Sequence, residues 1–356
     1  MKAVVLAGGR GTRLRPITHT ISKHLIPIAN KPMIFYPLED IAEAGIEEVV
    51  IVVAPGEIGR EIREVVGDGS RWGLKITYVE QPEALGIAHA LALTRDLMGD
   101  EPFVVYLGDN LIKGGIKGLC EKFEREQPDA LLLLCPVPDP QRFGVAEIED
   151  GRLVKLIEKP KEPPSNLALT GIYFLTPSIF KAISRLKPSW RGEYEITEAL
   201  QILIDEGKEV KYEVVSEWWK DTGKLDDLLE ANRLVLDGLE PRIEGEVDGP
   251  SKVEGRVALG KGSRVKNSLV RGPAVIGEGV TIEDSYIGPF PSISDGAVVR
   301  RSEVENSIIL QNAVIEDVPR LESSLIGKEA VVRRANVKPS AIRLMIGDHS
   351  EVVMPL

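Results

Sequence analysis

A chain of 356 residues with 43% apolar and 28% charged content is long enough for about two domains with real cores, and 34 glycines and 24 prolines without a collagen-like period exclude fibrous structure and wholesale disorder. The 44 Lys and Arg against 55 Asp and Glu leave a net charge of −11, which argues against broad binding to nucleic acid or to an anionic membrane. A small anion needs only a local basic pocket. The longest obvious apolar run, residues 49–54, is far short of the roughly 18 residues of a membrane span, and no signal peptide is visible. Cys120 and Cys135 show no Cys-x-x-Cys spacing and read as reduced core thiols, so the expected location is the cytoplasm.

From residue 1 to about 238, short β-branched runs alternate with helical stretches. The pattern predicts strands over 2–6, 49–54, 75–79 and 103–107, with helices over 36–44, 84–98 and 115–126 between them. Such alternation gives an α/β domain, a Rossmann-like, mostly parallel sheet covered on both faces, with ligands at the carboxyl ends of its strands. Further strands over 145–148, 153–158 and 168–175 and helices over 195–206 and 224–236 complete this part.

After Asp237-Gly238-Leu239-Glu240-Pro241 the helical pattern stops. Leu259, Ile276, Ile293 and Leu310 recur every 17 residues, as do Val265, Ile282 and Val299, and also Val270, Ile287, Val304 and Leu321. Three interleaved series predict three inward positions per coil, and fragments such as Ile276-Gly277-Glu278-Gly279-Val280-Thr281 resemble the hexapeptide repeat of left-handed parallel β-helices. An antiparallel β domain is the alternative. The expected domains are therefore 1–238 and 239–356, with Ala341-Ile342-Arg343-Leu344-Met345-Ile346 as a candidate C-terminal cap.

Gly8-Gly9-Arg10-Gly11-Thr12-Arg13 follows the first strand and is expected to open a helical or turn segment whose backbone N–H groups can face a phosphate. It is no Walker A loop, which ends in Gly-Lys-Ser/Thr, and Leu14 stands where the dinucleotide fingerprint needs a third glycine. Arg10, Arg13 and Lys23 gather three cations in one stretch of an acidic chain. Asp109, in Gly108-Asp109-Asn110 after an apolar run, is a carboxylate delivered to the sheet's carboxyl edge, where a Mg²⁺ ligand belongs. Taken alone, Asp109 or Asp221 reads rather as a turn or N-cap residue.

The loop 8–16, followed by Ser22-Lys23-His24, Asn30-Lys31-Pro32, the tract 67–74, Gln81-Pro82, Gly108-Asp109-Asn110, Glu158-Lys159-Pro160, Thr170-Gly171, Arg191-Gly192-Glu193-Tyr194-Glu195-Ile196-Thr197 and Asp221-Thr222-Gly223, resembles the signature of sugar-phosphate nucleotidyltransferases over about the first 235 residues. Within that family it is most similar to the thymidylyltransferases of glucose 1-phosphate, and the repeat-bearing tail is similar to their long form. The resemblance implies Mg²⁺-dependent transfer from dTTP to glucose 1-phosphate, with UTP or N-acetylglucosamine 1-phosphate as sibling substrates. It implies nucleotide contacts from Leu6, Gly8, Gly9, Gly11, Thr12, Arg13, Gln81, Gly86 and Asp109, with Gln81 and Gly86 at the base and Lys23 on the triphosphate. It further implies sugar-phosphate contacts from Lys159 and Arg191, a sugar lining of Gly144, Glu158, Thr170 and Gly171, metal ligands Asp109 and Asp221, and Arg13, Lys23 and Lys159 as the cations of catalysis.

Other chemistries find little footing. His19, His24, His89 and His349 lack metal-ligand spacing and are expected to be structural or at the surface, and neither a Gly-x-Ser-x-Gly elbow nor a zinc ligand set occurs. Trp218-Trp219 is expected to pack behind Asp221. Acyltransferases built on β-helices usually carry a histidine within the coils, and none occurs between Glu240 and Ser340. The tail is therefore expected to serve assembly into a homo-oligomer and stability rather than acetyl transfer, and a chain ending near Gly238 to keep some activity.

Overall fold

The computed structural model describes residues 1–334, so the candidate cap at 341–346 and His349 lie outside the described residues. By contacts the chain forms two units. The first comprises Met1–Arg10, Ile21–Leu25 and Ile34–Asp221; the second comprises Gly11–Thr20, Ile26–Met33 and the chain from Thr222 onward. This division falls at Asp221, whereas the sequence reading divides the chain at residue 238. No helix among the described residues is long and apolar enough to cross a membrane.

The first unit is built on one nine-stranded sheet. Its strands are β1 (Lys2–Ala7), β2 (Glu48–Val53), β3 (Lys75–Glu80), β4 (Phe103–Leu107), then, after the short β5 (Asn110–Ile112), which lies outside it, β6 (Ala130–Pro136), β7 (Gly144–Glu149), β8 (Arg152–Glu158), β9 (Leu167–Leu175) and β10 (Val210–Val214). The order β3-β2-β1-β4 is parallel throughout, and β9 continues the sheet antiparallel to β4, β6 and β7. Successive residues of an apolar strand serve opposite faces. Val4, Leu6, Val50, Val52 and Val105 pack on one side with helices α3 (Ile87–Ala92), α6 (Ser178–Ile183) and α7 (Ile196–Asp205). Ala3, Val5, Val49, Ile51 and Tyr106 pack on the other with α1 (Phe35–Glu43), α2 (Glu57–Val66) and α5 (Lys117–Glu126). Cys120 is buried on α5 and Cys135 half-buried on β6, both free thiols.

One expectation here needs correction. The helix expected over 84–98 is two pieces, α3 and α4 (Arg95–Met98), because the buried Thr94 hydroxyl donates back to the Leu91 carbonyl (2.8 Å) and Gly86, at φ 98°, keeps its first residues out of the helix. Of the helical or turn segment expected after Gly8, the turn form is the one present. It runs through three single 3₁₀ turns at Thr12–Leu14, Ile17–His19 and Lys23–Leu25.

In the second unit, helix α8 (Leu225–Leu236) precedes parallel strands arranged in three sheets, one strand of each coil in each sheet, consistent with a left-handed β-helix. The register follows the repeat: Val265, Ile282 and Val299 align, as do Val270, Ile287, Val304 and Leu321. In the remaining series Ile293 faces Ile309 rather than the expected Leu310. The path from Val304 to Ile309 is one residue shorter than the equivalent path from Ile287 to Ile293 one coil earlier, and the following corner, Ile315 to Leu321, restores the lost residue. A ladder of buried serines spans the coils: Ser268, Ser285 and Ser302 each donate a backbone N–H to the hydroxyl of the serine one coil earlier (3.0, 3.0 and 3.2 Å), so the corner's amides are satisfied without water.

Candidate active site

In an open sheet ligands bind where the strand order reverses, at the carboxyl ends of the flanking strands. Here that point lies between β1 and β4, and both strands end in site motifs: Ala7 runs into Gly8-Gly9, and Leu107 into Gly108-Asp109-Asn110. A cleft of about 270 Å³ opens there, lined by Leu6, Gly8, Gly9, Lys23, His24, Gln81, Gly86, Leu107, Asp109 and Glu193, among others. Seven of these residues are ones the sequence names as nucleotide contacts or as the triphosphate lysine. Close approach explains the glycines. A Cβ at Gly8 would fall 2.9 Å from Gln81 Oε1, and one at Gly86 would fall 2.7 Å from the Tyr194 carbonyl.

The Lys23 ammonium forms an ion pair with Asp109 Oδ2. Burial, the largest single influence, would raise the Asp109 carboxyl, but the charges of Lys23 and His24 and the hydrogen bonds from Lys23 and Asn110 together outweigh it, and the group lies below the ordinary carboxylate range. His24, expected at the surface or as structure, is buried beside this pair and lines the cleft, its Nδ1 3.3 Å from Ser22 Oγ. Burial, then repulsion from Lys23, pushes its pKa down to about 3, so the ring stays neutral at neutral pH. His19 is exposed, as expected.

Asn110 is a hub to which the sequence reading assigns no role. Its Oδ1 accepts from Trp219 Nε1 (2.7 Å) and from the Gly171 amide (3.1 Å), and its Nδ2 donates to Asp109 Oδ1 (3.1 Å). It also pairs in register with Asp221, because β11 (Trp219–Asp221) runs antiparallel to β5. Asp221 therefore ends a strand rather than capping a helix, and comes alongside the Asp109-Asn110 dipeptide. The buried Tyr173 hydroxyl is raised above its ordinary pKa by burial first and then by the charges of Glu158, Asp109 and Asp221. Trp219 is buried against Phe143 as expected, and Trp218 is half-buried. Asn110→Leu should remove the acceptor that two buried donors share, at roughly 1–3 kcal/mol each. Urea unfolding measures this, and a loss under about 1 kcal/mol would show that the hub is dispensable.

The residues named for the sugar phosphate form a second cluster around Glu158. Its Oε2 accepts from Thr197 Oγ1 (2.6 Å), and its Oε1 faces Arg191 Nη1 (3.4 Å) and Lys159 Nζ (3.6 Å). A Cβ at Gly144 would fall 3.0 Å from Thr197 Oγ1, and one at Gly171 2.6 Å from Asn110 Oδ1. Thr170 Oγ1 is buried without a partner among the described residues. Arg191 is held by Glu158, Glu193 and Glu195. Gly11, Thr12 and Arg13 do not line the cleft; they belong to the second unit, where the Gly11 carbonyl accepts from Thr18 Oγ1 (2.7 Å) and the Arg13 guanidinium lies against Gly223. Among the described residues no group of three or more His, Cys, Asp or Glu is disposed to hold a metal.

The sequence matches the nucleotidyl transferase family over residues 2–238, and the chain belongs to that family. It is 52% identical over 351 residues to a glucose-1-phosphate thymidylyltransferase of Streptomyces griseus, covering 98% of each chain. It is 44% identical over 357 residues to the low-salt glycan biosynthesis nucleotidyltransferase Agl11 of Haloferax volcanii, covering 99% of each. Among solved structures it is similar, at TM-score 0.63 and 40% identity, to a putative glucose-1-phosphate thymidylyltransferase from Bacillus anthracis, over 66% of this chain and 94% of that one.

Proposed function

We propose that the chain transfers a thymidylyl group from dTTP to glucose 1-phosphate, forming dTDP-glucose and pyrophosphate. The observation that carries this reading is the gathering of Gly8, Gly9, Lys23, Gln81 and Asp109 on one cleft at the sheet's switch point. The base and the sugar follow the activity for which the Streptomyces griseus relative is named.

A sugar 1-phosphate has a second pKa near 6, so its oxygen is mostly ionised at neutral pH and needs no protein base. That oxygen forms a bond to the α-phosphorus, the bond from this phosphorus to the bridging oxygen breaks in line, and pyrophosphate leaves with the electron pair. The chain's work is to position two anions and balance their charge. Two unit charges about 4 Å apart repel by roughly 4 kcal/mol at an effective dielectric of 20. Lys23, beside the glycine loop, serves the triphosphate, while Lys159 and Arg191 hold the sugar phosphate. Glu158 and the unpartnered Thr170 hydroxyl offer hydrogen bonds to the sugar. The phosphate has to win Arg191 from Glu193 and Glu195, which ties sugar binding to movement of that side chain.

Asp109 and Asp221 suit Mg²⁺, since they are hard oxygen donors, Asp221 paired in register with Asn110 and Asp109 one residue before it, and this ion takes one or two carboxylates and completes its shell with phosphate oxygens and water. When bound it supplies neutralisation of charge on the phosphates.

A matrix of nucleoside triphosphates against sugar 1-phosphates, read by pyrophosphate release, tests the reading. We expect the highest kcat/KM for dTTP with glucose 1-phosphate. UTP should follow within about 10–200-fold, because one methyl group in an apolar pocket discriminates by only about 1–3 kcal/mol. A preference for ATP or GTP overturns the proposal.

A further inference from the structure

We propose that His89 is a positioning residue for base recognition, fixing the side-chain amide of Gln81 so that Oε1 faces the nucleotide cleft. This rests on the reading of that cleft as a nucleotide site. Gln81 is buried, and its Nε2 lies 3.2 Å from the Gly86 carbonyl and 3.1 Å from His89 Nδ1. The carbonyl only accepts, so the amide nitrogen is the group on that side. Its second proton goes to Nδ1, which requires that His89 carry its proton on Nε2. Both N–H bonds are then committed, and Oε1 turns toward Gly8, where an added Cβ would fall 2.9 Å away.

His89 is itself held. Its ring stacks on Tyr194, with centroids 6.3 Å apart and planes 27° from parallel. The backbones are laced together as well: Tyr194 N donates to Leu85 O (2.7 Å) and Ala88 N to Tyr194 O (3.2 Å). Gly86 sits at φ 98° against that carbonyl, so the turn presenting its own oxygen to Gln81 cannot relax around a side chain.

The chemistry decides what a locked amide reads. A primary amide is two-faced, and left to rotate it pairs with an acceptor or a donor alike. Thymine and uracil present N3–H, a donor, where cytosine presents a bare N3. An amide with Oε1 inward accepts from the first and opposes the lone pair of the second, and sites built on such a hydrogen bond reject partners that cannot complete it. The ring of His89 thus converts Gln81 into a one-faced reader of pyrimidine diones without touching the nucleotide.

Two substitutions separate this role from packing. His89→Phe keeps a ring for Tyr194 but has no acceptor, whereas His89→Asn retains one near the δ position. The Phe variant should lower the ratio of kcat/KM for dTTP over dCTP by about tenfold, the worth of one misplaced hydrogen bond, with KM for glucose 1-phosphate unchanged. The Asn variant should keep the ratio within about twofold. Independently of turnover, ¹⁵N-histidine NMR of the substrate-free wild type should find His89 with its proton on Nε2 and Nδ1 accepting. An Nδ1–H tautomer, or undiminished discrimination in the Phe variant, overturns the proposal. If the wild type transferred no thymidylyl group, the proposed function would fall, and the tautomer would still decide the role of His89.

Discussion

Asp109→Asn should lower kcat for thymidylyl transfer on the order of 10²–10³-fold, the scale seen when one preorganised charge is removed from a reacting centre. The carboxylate is buried, pairs with Lys23 and receives Asn110 Nδ2, so its place in the cleft is tightly specified. The amide keeps the shape and loses the charge. It also leaves the Lys23 ammonium, 12% exposed, without its partner, and breaking one side of a buried pair costs about 3–5 kcal/mol. Stability and chemistry must therefore be separated. Lys23→Met alone should be unstable for the mirror reason, while the Lys23→Met/Asp109→Asn double variant should recover stability relative to either single change and remain inactive. Calorimetry and steady-state kinetics on the three proteins check this. Turnover close to wild type in Asp109→Asn at limiting Mg²⁺ would remove the residue from the site.

Ending the chain after Gly238 should be far more damaging than an autonomous first domain would suggest. Within the second unit, the loop at Ala29-Asn30 and helix α8 are clasped to one solenoid corner. Asn232, fully buried, accepts from the Ala29 amide (2.8 Å) and donates to the Phe290 carbonyl (2.9 Å), and Arg233 lies 4.7 Å over the Phe290 ring. Asn30 donates to the Ile293 carbonyl (2.7 Å) and receives Ser294 Oγ (3.2 Å). Removing the solenoid orphans these polar groups at roughly 1–3 kcal/mol each, before any lost apolar contact is counted. At about 2–4 °C per kcal/mol for a chain of this size, a fall in Tm of about 10–20 °C is expected, with thymidylyl transfer falling alongside. The single change Asn232→Leu should reproduce part of it. A truncated chain with unaltered Tm and turnover would show that the clasp carries no weight.

The same contacts mark where reading the sequence reached its limit. Buried parallel strands are continuous apolar runs, so 2–6, 49–54 and 103–107 were legible from composition alone, and the 17-residue repeat announced the coils. The helix Glu57–Val66 was not, since half of its ten residues are Glu or Arg and its apolar stripe is narrow. Leu310 was misassigned because the repeat shortens at one corner and lengthens at the next, an exchange that leaves the overall spacing nearly intact and is visible only in the strand register.

By itself the sequence determined the family, the two architectures and the residues that its motifs quote, because these depend on local period and on residues close in the chain. Only the tertiary structure decided that Asn110 binds Trp219 and Gly171, that His89 holds Gln81, that His24 is buried against the Lys23–Asp109 pair, and that Asn30 and Asn232 reach the solenoid. Each of these is a polar group taken out of water, and a buried polar group must find its partner wherever the packed chain supplies one. Asn30 and Ile293 lie 263 residues apart in sequence, a separation over which no periodicity or motif carries information.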